Sequence, residues 1–164
     1  MKLYIFIFLL NCLCFPKNFI YNEDSWYNIT SIESITSISY NYDQIFFSST
    51  NGLFIFDKYN KDISYANYIL NNVENKNIYI VHYDSYRDKI WILNRDNIMF
   101  KSSIGNAWGG IYFFSLGINS YRDIINIGSN VNYIILQLKN NNFMLLDPYT
   151  GMIITNKNNQ EINV

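Results

Sequence analysis

The residues able to do chemistry are few. The chain holds one histidine, His82, and two cysteines, Cys12 and Cys14, both close to the amino terminus. One imidazole cannot supply the several ligands that a structural or catalytic transition metal needs, and no cysteine lies near His82 in the sequence to assist it. Two thiols confined to the first fifteen residues leave the remainder without a disulfide framework or redox pair. Serines are common, but none sits in a G-x-S-x-G nucleophile elbow. Gly109-Gly110 follows Trp108 without the strand-to-helix context that turns a glycine pair into a phosphate cradle. Asp84, Asp88 and Asp96 fall in turn-rich stretches, where a carboxylate bonds its own backbone. These patterns predict no catalytic residue, no metal and no cofactor, and His82 reads as a structural strand residue.

Charge and composition narrow the classes further. Twelve basic residues face thirteen acidic ones, for a net charge of −1 and a pI near 5.7. That balance lacks the broad positive surface required for nucleic-acid binding. With 49% hydrophobic and 15% charged residues, the chain can bury a sizeable core. Asn, Ile, Lys, Tyr and Phe make up over half of it, while Pro occurs twice and Gly seven times. The abundant types have A/T-rich codons, so the 18% aromatic content reflects base composition before any stacking site. Trp91, at an alternating strand position equivalent to Phe46 and Leu136, reads as packing between neighbouring repeats. Trp108, in a loop flanked by glycine, is the aromatic best placed for a surface contact.

The start of the chain has its own pattern. Met1-Lys2 precedes an apolar run from Leu3 to Phe15, broken only by Asn11. About thirteen apolar residues are too few to span a bilayer, which needs roughly 20. They match the hydrophobic region of a secretory signal peptide over residues 1–14, with Cys12 and Cys14 at the −3 and −1 places. A buried strand would show polar alternation, which is missing. A lipid-anchored cysteine fits poorly with Asn11 directly before Cys12. The expected location is therefore outside the cytoplasm: periplasmic, outer-membrane associated or secreted, with no transmembrane segment beyond the signal.

Past this segment the sequence repeats. Residues 45–57, 90–102 and 135–147 align at a constant offset of 45 without a gap, and Ile35, Ile80 and Ile125 fall in the same register upstream. Each copy has an apolar run, a polar pair and a second apolar run, which is a hairpin signal. Asn51-Gly52 predicts a type I′ turn, with Asp96-Asn97 and Asn141-Asn142 as weaker versions. Asp147-Pro148-Tyr149-Thr150-Gly151 predicts a second turn, and Asp57-Lys58-Tyr59-Asn60 is its counterpart. In the first copy the strands are expected near 36–40, 44–49, 53–57 and 63–68. The last strands of the other copies are expected over 111–116 and 152–155. Four strands in about 45 residues is a β-propeller blade, so the fold class is all-β, with repeats over approximately 35–70, 78–117 and 124–164. A β-sandwich of hairpins would give irregular spacing. A leading segment, 15–34, carries an isolated strand near 25–29. Three units fall short of a closed ring, so the sequence reads as the front part of a larger propeller.

Thr50-Asn51-Gly52-Leu53-Phe54-Ile55-Phe56-Asp57, preceded by Ile35-Thr36-Ser37-Ile38-Ser39-Tyr40, resembles the repeat of the two-component-regulator propeller family. The Trp26-Tyr27 pair ahead of the first repeat is similar to the start of envelope propellers linked to type IX secretion in Bacteroidetes-like bacteria. The resemblance covers about 35–155 and is strongest in the first repeat; Asn97 and Asn142 replace the glycine in the others. It implies a non-catalytic exported module that recognises a protein, glycan or small-molecule ligand in the cell envelope, as a sensor ectodomain or a secretion-linked scaffold. The alternative is the front of a propeller enzyme, such as a quinoprotein-like dehydrogenase or a polysaccharide lyase. Function on a rigid scaffold lives on loops. The candidate binding residues are accordingly Thr50, Asn51, Arg95, Asp96, Asn140 and Asn141, together with Trp108 and the inter-repeat stretches 71–76 and 119–123.

Overall fold

The computed structural model describes residues 34–66, 77–102 and 107–157. The expected signal peptide, the strand near 25–29, the stretch 71–76 and the residues after 157 lie outside the described residues. Among the described residues twelve strands follow one another: β1 (Ile35–Tyr40), β2 (Gln44–Ser49), β3 (Gly52–Asp57), β4 (Asp62–Tyr65), β5 (Ile80–Asp84), β6 (Lys89–Leu93), β7 (Asn97–Ser102), β8 (Gly109–Tyr112), β9 (Ile124–Ser129), β10 (Ile134–Leu138), β11 (Phe143–Leu146) and β12 (Ile153–Lys157). They form three four-stranded antiparallel sheets, each a meander in chain order. The chain is thus almost entirely β, with three repeated, propeller-like sheets. No helix among the described residues is long and apolar enough to cross a membrane.

The sheets fan out from their first strands. β1 lies beside β5, and β5 beside β9. Short polar side chains stitch these seams. Thr36 Oγ1 donates to the Ile78 carbonyl at 3.1 Å, and Ser39 Oγ accepts from the Tyr83 amide at 2.8 Å. His82 Nε2 and Ser129 Oγ are 2.8 Å apart across the next seam. Farther from the seams, apolar faces stack. Phe46, Leu53 and Ile55 of the first sheet pack against Val81, Ile90 and Ile92 of the second. Trp91, Leu93 and Ile98 of the second pack against Ile127, Ile134, Leu136 and Met144 of the third.

The turns depart from their sequence reading in instructive ways. Ser49 pairs with Gly52, so the first hairpin loop is Thr50-Asn51, not Asn51-Gly52. Gly52 has φ +134° while Asn51 is not left-handed, so the turn is not type I′. Gly52 is needed because a Cβ there would overlap the Tyr65 ring, whose hydroxyl donates to the Asn51 carbonyl at 2.9 Å. In the second sheet Asn94 Oδ1 accepts from the amides of Asp96 and Asn97, an Asx-type turn. The Asp57 and Asp147 turns match each other: each carboxylate accepts two amides, from Tyr59 and Asn60 and from Tyr149 and Thr150. Gly151, at φ +72°, occupies the place held by Lys61, at φ +54°. The strand expected over 111–116 ends at Tyr112. Phe113–Leu116 (α1) is a single helical turn that buries Phe113 and Leu116 and closes on Gly117 at φ +67°.

The offset of 45 is not strict in space. Asn41 and Asn130 hold equivalent turn positions: each side chain accepts from the amides two and three residues on, and each amide donates to the third residue's carbonyl. They are 89 residues apart. The β10–β11 turn then carries an extra residue, with the Leu138 amide bonding the Asn142 carbonyl, which restores the count of 90 by Asp147. A one-residue slip turns every side chain of a strand to the other face. Phe46 and Trp91 therefore point toward the following sheet, whereas Leu136 packs back onto the second sheet, against the cluster containing Trp91. Upstream, Ile80 is buried, but Ile35 and Ile125 are exposed and Ile124 takes the core position in the third sheet.

One ionic clamp holds the second sheet to the third. Asp84 is wholly buried and pairs with Arg87 at 2.9 Å. The same guanidinium donates to the carbonyls of Asn130, at 3.2 Å, and Val131. Lys89 Nζ donates to the Pro148 carbonyl at 2.9 Å and sits 4.9 Å from the Tyr149 ring centre. Removing Arg87 would strand a buried carboxylate, which costs about 3 kcal/mol or more. Arg87→Ala should lower unfolding free energy in urea by that order, and Arg87→Lys should recover only part, since one ammonium cannot reproduce the fork.

His82 supplies a pH test. Burial pushes its imidazole below the ordinary 6.5, and the nearby Asp84 charge offsets part of this. The unfolded chain therefore takes up the proton first as pH falls. The contribution is complete above the unfolded value and is lost as pH drops through 6.5 toward the folded value. The urea midpoint should fall between about pH 7.5 and about pH 5.5, and His82→Asn should flatten that decline.

Candidate functional site

Antiparallel meanders place their turns at two ends. One end gathers the β2–β3, β6–β7 and β10–β11 turns with the β8–β9 connection; the other gathers the remaining hairpin turns. At the first end, between the second and third sheets, Tyr79, Arg95, Asp96, Asn119, Ser120, Tyr121 and Arg122 line an open cavity of about 450 Å³. A neighbouring hollow of about 290 Å³ is lined by Asn119, Asp123, Leu138, Lys139 and Asn140 among others. Asn119 borders both.

The local sequence explains why this connection is shaped. Tyr121–Asp123 forms a single 3₁₀ turn with a reciprocal cap: Ser120 Oγ accepts the Arg122 amide at 3.3 Å, and Asp123 accepts the Ser120 amide at 3.1 Å. Lys139 N donates to the Asp123 carbonyl at 2.9 Å, tying the connection to the β10–β11 turn. Opposite, the Asn94 side chain fixes the amides of Asp96 and Asn97, so Arg95 leaves a constrained turn. Arg95, Asp96, Asn119 and Arg122 are exposed.

Between these walls Tyr79 and Tyr121 stack, with ring centres 4.1 Å apart and planes at 18°. Arg122 Nε donates to the Tyr121 hydroxyl oxygen at 3.1 Å. That bond, with a second from Tyr79, holds the Tyr121 phenol below its ordinary value, and the Arg122 and Arg95 charges act in the same direction. Tyr79 is pushed up, chiefly by its hydrogen bond to Tyr121. The arrangement presents cationic forks and fixed polar groups on a rigid lip.

The structure therefore brings Arg95 and Asp96 together with the expected stretch 119–123, and places Asn140 in the adjoining hollow. Asn141, at φ +60°, shapes the same turn. Thr50 and Asn51 form the first sheet's turn and line neither cavity. Trp108 is half-buried against the cluster between the first and second sheets and lines neither cavity. Tyr79 was not legible as a site residue, because it precedes β5 in an ordinary apolar stretch. Ser120-x-x-Asp123 does carry a capping-box signature that marks the turn. At the opposite end a wider groove of about 900 Å³ runs past Ile38, Tyr40, Tyr42, Lys58, His82 and Tyr83. Its cation is committed: Lys58 Nζ donates to the Asn41 carbonyl at 2.6 Å and the Tyr42 carbonyl at 3.1 Å.

No protein-family model matches the sequence, and no curated protein matches it. Among solved structures the chain is similar in fold to a computationally designed protein, Ika4, with a TM-score of 0.54 at 8% identity over 78% of this chain and 74% of that one. Lower similarity is found to the N-terminal domain of Nup159, with a TM-score of 0.48 at 12% identity over 79% of this chain and 33% of that one. A Saccharomyces cerevisiae assembly of Dbp5 with Nup159 and Gle1 gives a TM-score of 0.45, also at 12% identity. The likeness to the designed protein is one of fold alone.

Asp123→Ala removes one half of the cap, a change worth about 1 kcal/mol. Amide exchange at Ser120 should quicken by roughly fivefold while amides in β5 and β6 keep their protection.

Proposed function

We propose that this chain is a non-catalytic recognition module of an exported β-propeller, acting in the cell envelope as a sensor ectodomain or a secretion-linked scaffold. It binds a protein, glycan or small molecule at the rim between its second and third sheets. The observation that carries the reading is the cavity bounded by Arg95, Asp96 and residues 119–122, where the β6–β7 turn of the second sheet meets the connection into the third. Its size lies in the range of small-ligand sites, and its polar lining suits recognition of a polar group. The repeated sheets, with first strands side by side, support the propeller reading. The apolar run from Leu3 to Phe15 supports export.

Two measurements test this. Alkaline phosphatase fused behind residue 164 should be active in bacteria, and deletion of residues 1–14 should abolish that activity; an inactive full-length fusion overturns export. Purified protein should bind isolated envelope fractions saturably, and Asn119→Trp, which fills the rim from its shared wall, should weaken that binding at least about tenfold. Binding indifferent to Asn119→Trp removes the rim from the proposal.

A further inference from the structure

We propose that the cavity between Arg95 and Arg122 is an oxyanion site, taking a carboxylate, sulfate or phosphate group carried by the ligand; the proposal rests on the recognition reading above. Arg95 makes no hydrogen bond or ion pair among the described residues, although it lines the cavity. Arg122 uses only Nε, on the Tyr121 oxygen, and stands over that ring at 5.6 Å. This leaves its two terminal nitrogens uncommitted among the described residues. A guanidinium held through Nε and offering its terminal N–H groups is a preset fork for an oxyanion, and two such forks around one cavity favour a charge that each alone would hold weakly.

The neighbouring groups agree with this assignment. Tyr121 accepts from Arg122 and stacks on Tyr79, so its oxygen serves to fix Arg122 and the stacked pair forms a firm floor. Ser120 Oγ accepts from the Arg122 amide, leaving its own O–H to donate. Asp123, the nearest acid on this connection, is turned onto the Ser120 amide as a cap. Of the cavity's lining side chains, two are cationic and one, Asp96, is anionic, a local excess of one positive charge in a protein of net charge −1. The groove at the other end offers no equivalent, because its lysine is already bonded to two carbonyls.

The test uses the full chain, with acetate, sulfate, inorganic phosphate and galacturonate as probes and neutral galactose as the uncharged comparison. The Arg95 and Arg122 Nε–Hε resonances should shift saturably with at least one of the four anions and not with galactose. The double variant R95Q/R122Q should weaken that anion's binding at least about tenfold. Lys61→Gln, which removes one positive charge at the opposite end where the double variant removes two at the rim, should alter it by less than about twofold. Sulfate and phosphate acting alone point to a free or esterified tetrahedral anion, and galacturonate outcompeting acetate to a sugar-borne carboxylate; either result supports the site. Unmoved arginine resonances, or equal weakening by Lys61→Gln, overturn it. Envelope binding that survives R95Q/R122Q but is lost in Asn119→Trp removes the oxyanion site and keeps the recognition reading. Envelope binding indifferent to both removes both.

Discussion

Face-to-face packing of sheets that are apolar on both sides is the constraint on which everything else here depends. In the second sheet Ile90 and Ile92 turn one way and Trp91 and Leu93 the other, and all four are buried. A four-stranded antiparallel sheet with two such faces cannot stand alone in water, because neither face has a solvated alternative. Stacking the repeats satisfies both faces of the middle one. It also brings the first strands into a common seam, where Thr36, Ser37, Ser39, His82 and Ser129 supply the polar contacts. The fan of sheets is the geometric result of packing wide apolar outer parts while keeping small polar residues at the seam.

That packing decides how the rim is built. The β6–β7 turn of the second sheet and the connection leading into β9 of the third are held together because the sheets beneath them interlock. The Arg87 and Lys89 contacts lock the far end of the same interface. The rim cavity thus inherits rigidity from a core that contributes few of its atoms. A guanidinium on such a lip loses less freedom on binding than one on a mobile loop. Asx turns built on Asn41, Asn94 and Asn130 add to this, since each fixes two amides with one side chain. The asparagine richness that base composition explains is put to structural use at these positions.

Much of the architecture was legible in the chain, and the errors share one cause. Apolar runs separated by polar pairs gave β2 and β3 close to their observed bounds and marked the segments 90–102 and 135–147 that hold the β6–β7 and β10–β11 hairpins, because hairpin spacing is a local property. The gapless offset of 45 placed Leu136 with Trp91, yet the chain is one residue short by the time it reaches the β9–β10 turn, 89 residues after its counterpart, and the longer β10–β11 turn restores the count, so the direction of Leu136 is reversed. Two compensating single-residue changes leave a linear alignment intact while inverting a strand. Phe113–Leu116 read as strand because its apolar residues suit either state; the left-handed Gly117 and the burial of Phe113 and Leu116 select the helical turn. At the rim, Arg95, Asp96 and 119–123 were visible as loop residues, but their meeting was not, since more than twenty residues separate them.

The sequence by itself determined that the described residues are nearly all β, in three repeated four-stranded units joined by Asx, Asp and glycine turns, with polar loops at each end. These follow from periodicity and turn chemistry, which act over a few residues. Only the tertiary structure decided which face of each strand meets which neighbour, that Arg87 bridges two sheets, and that Arg95 and Arg122 share one cavity. Such pairings depend on strand register and on the rotation between stacked sheets. A single residue inserted in a turn changes both, and no local pattern records it.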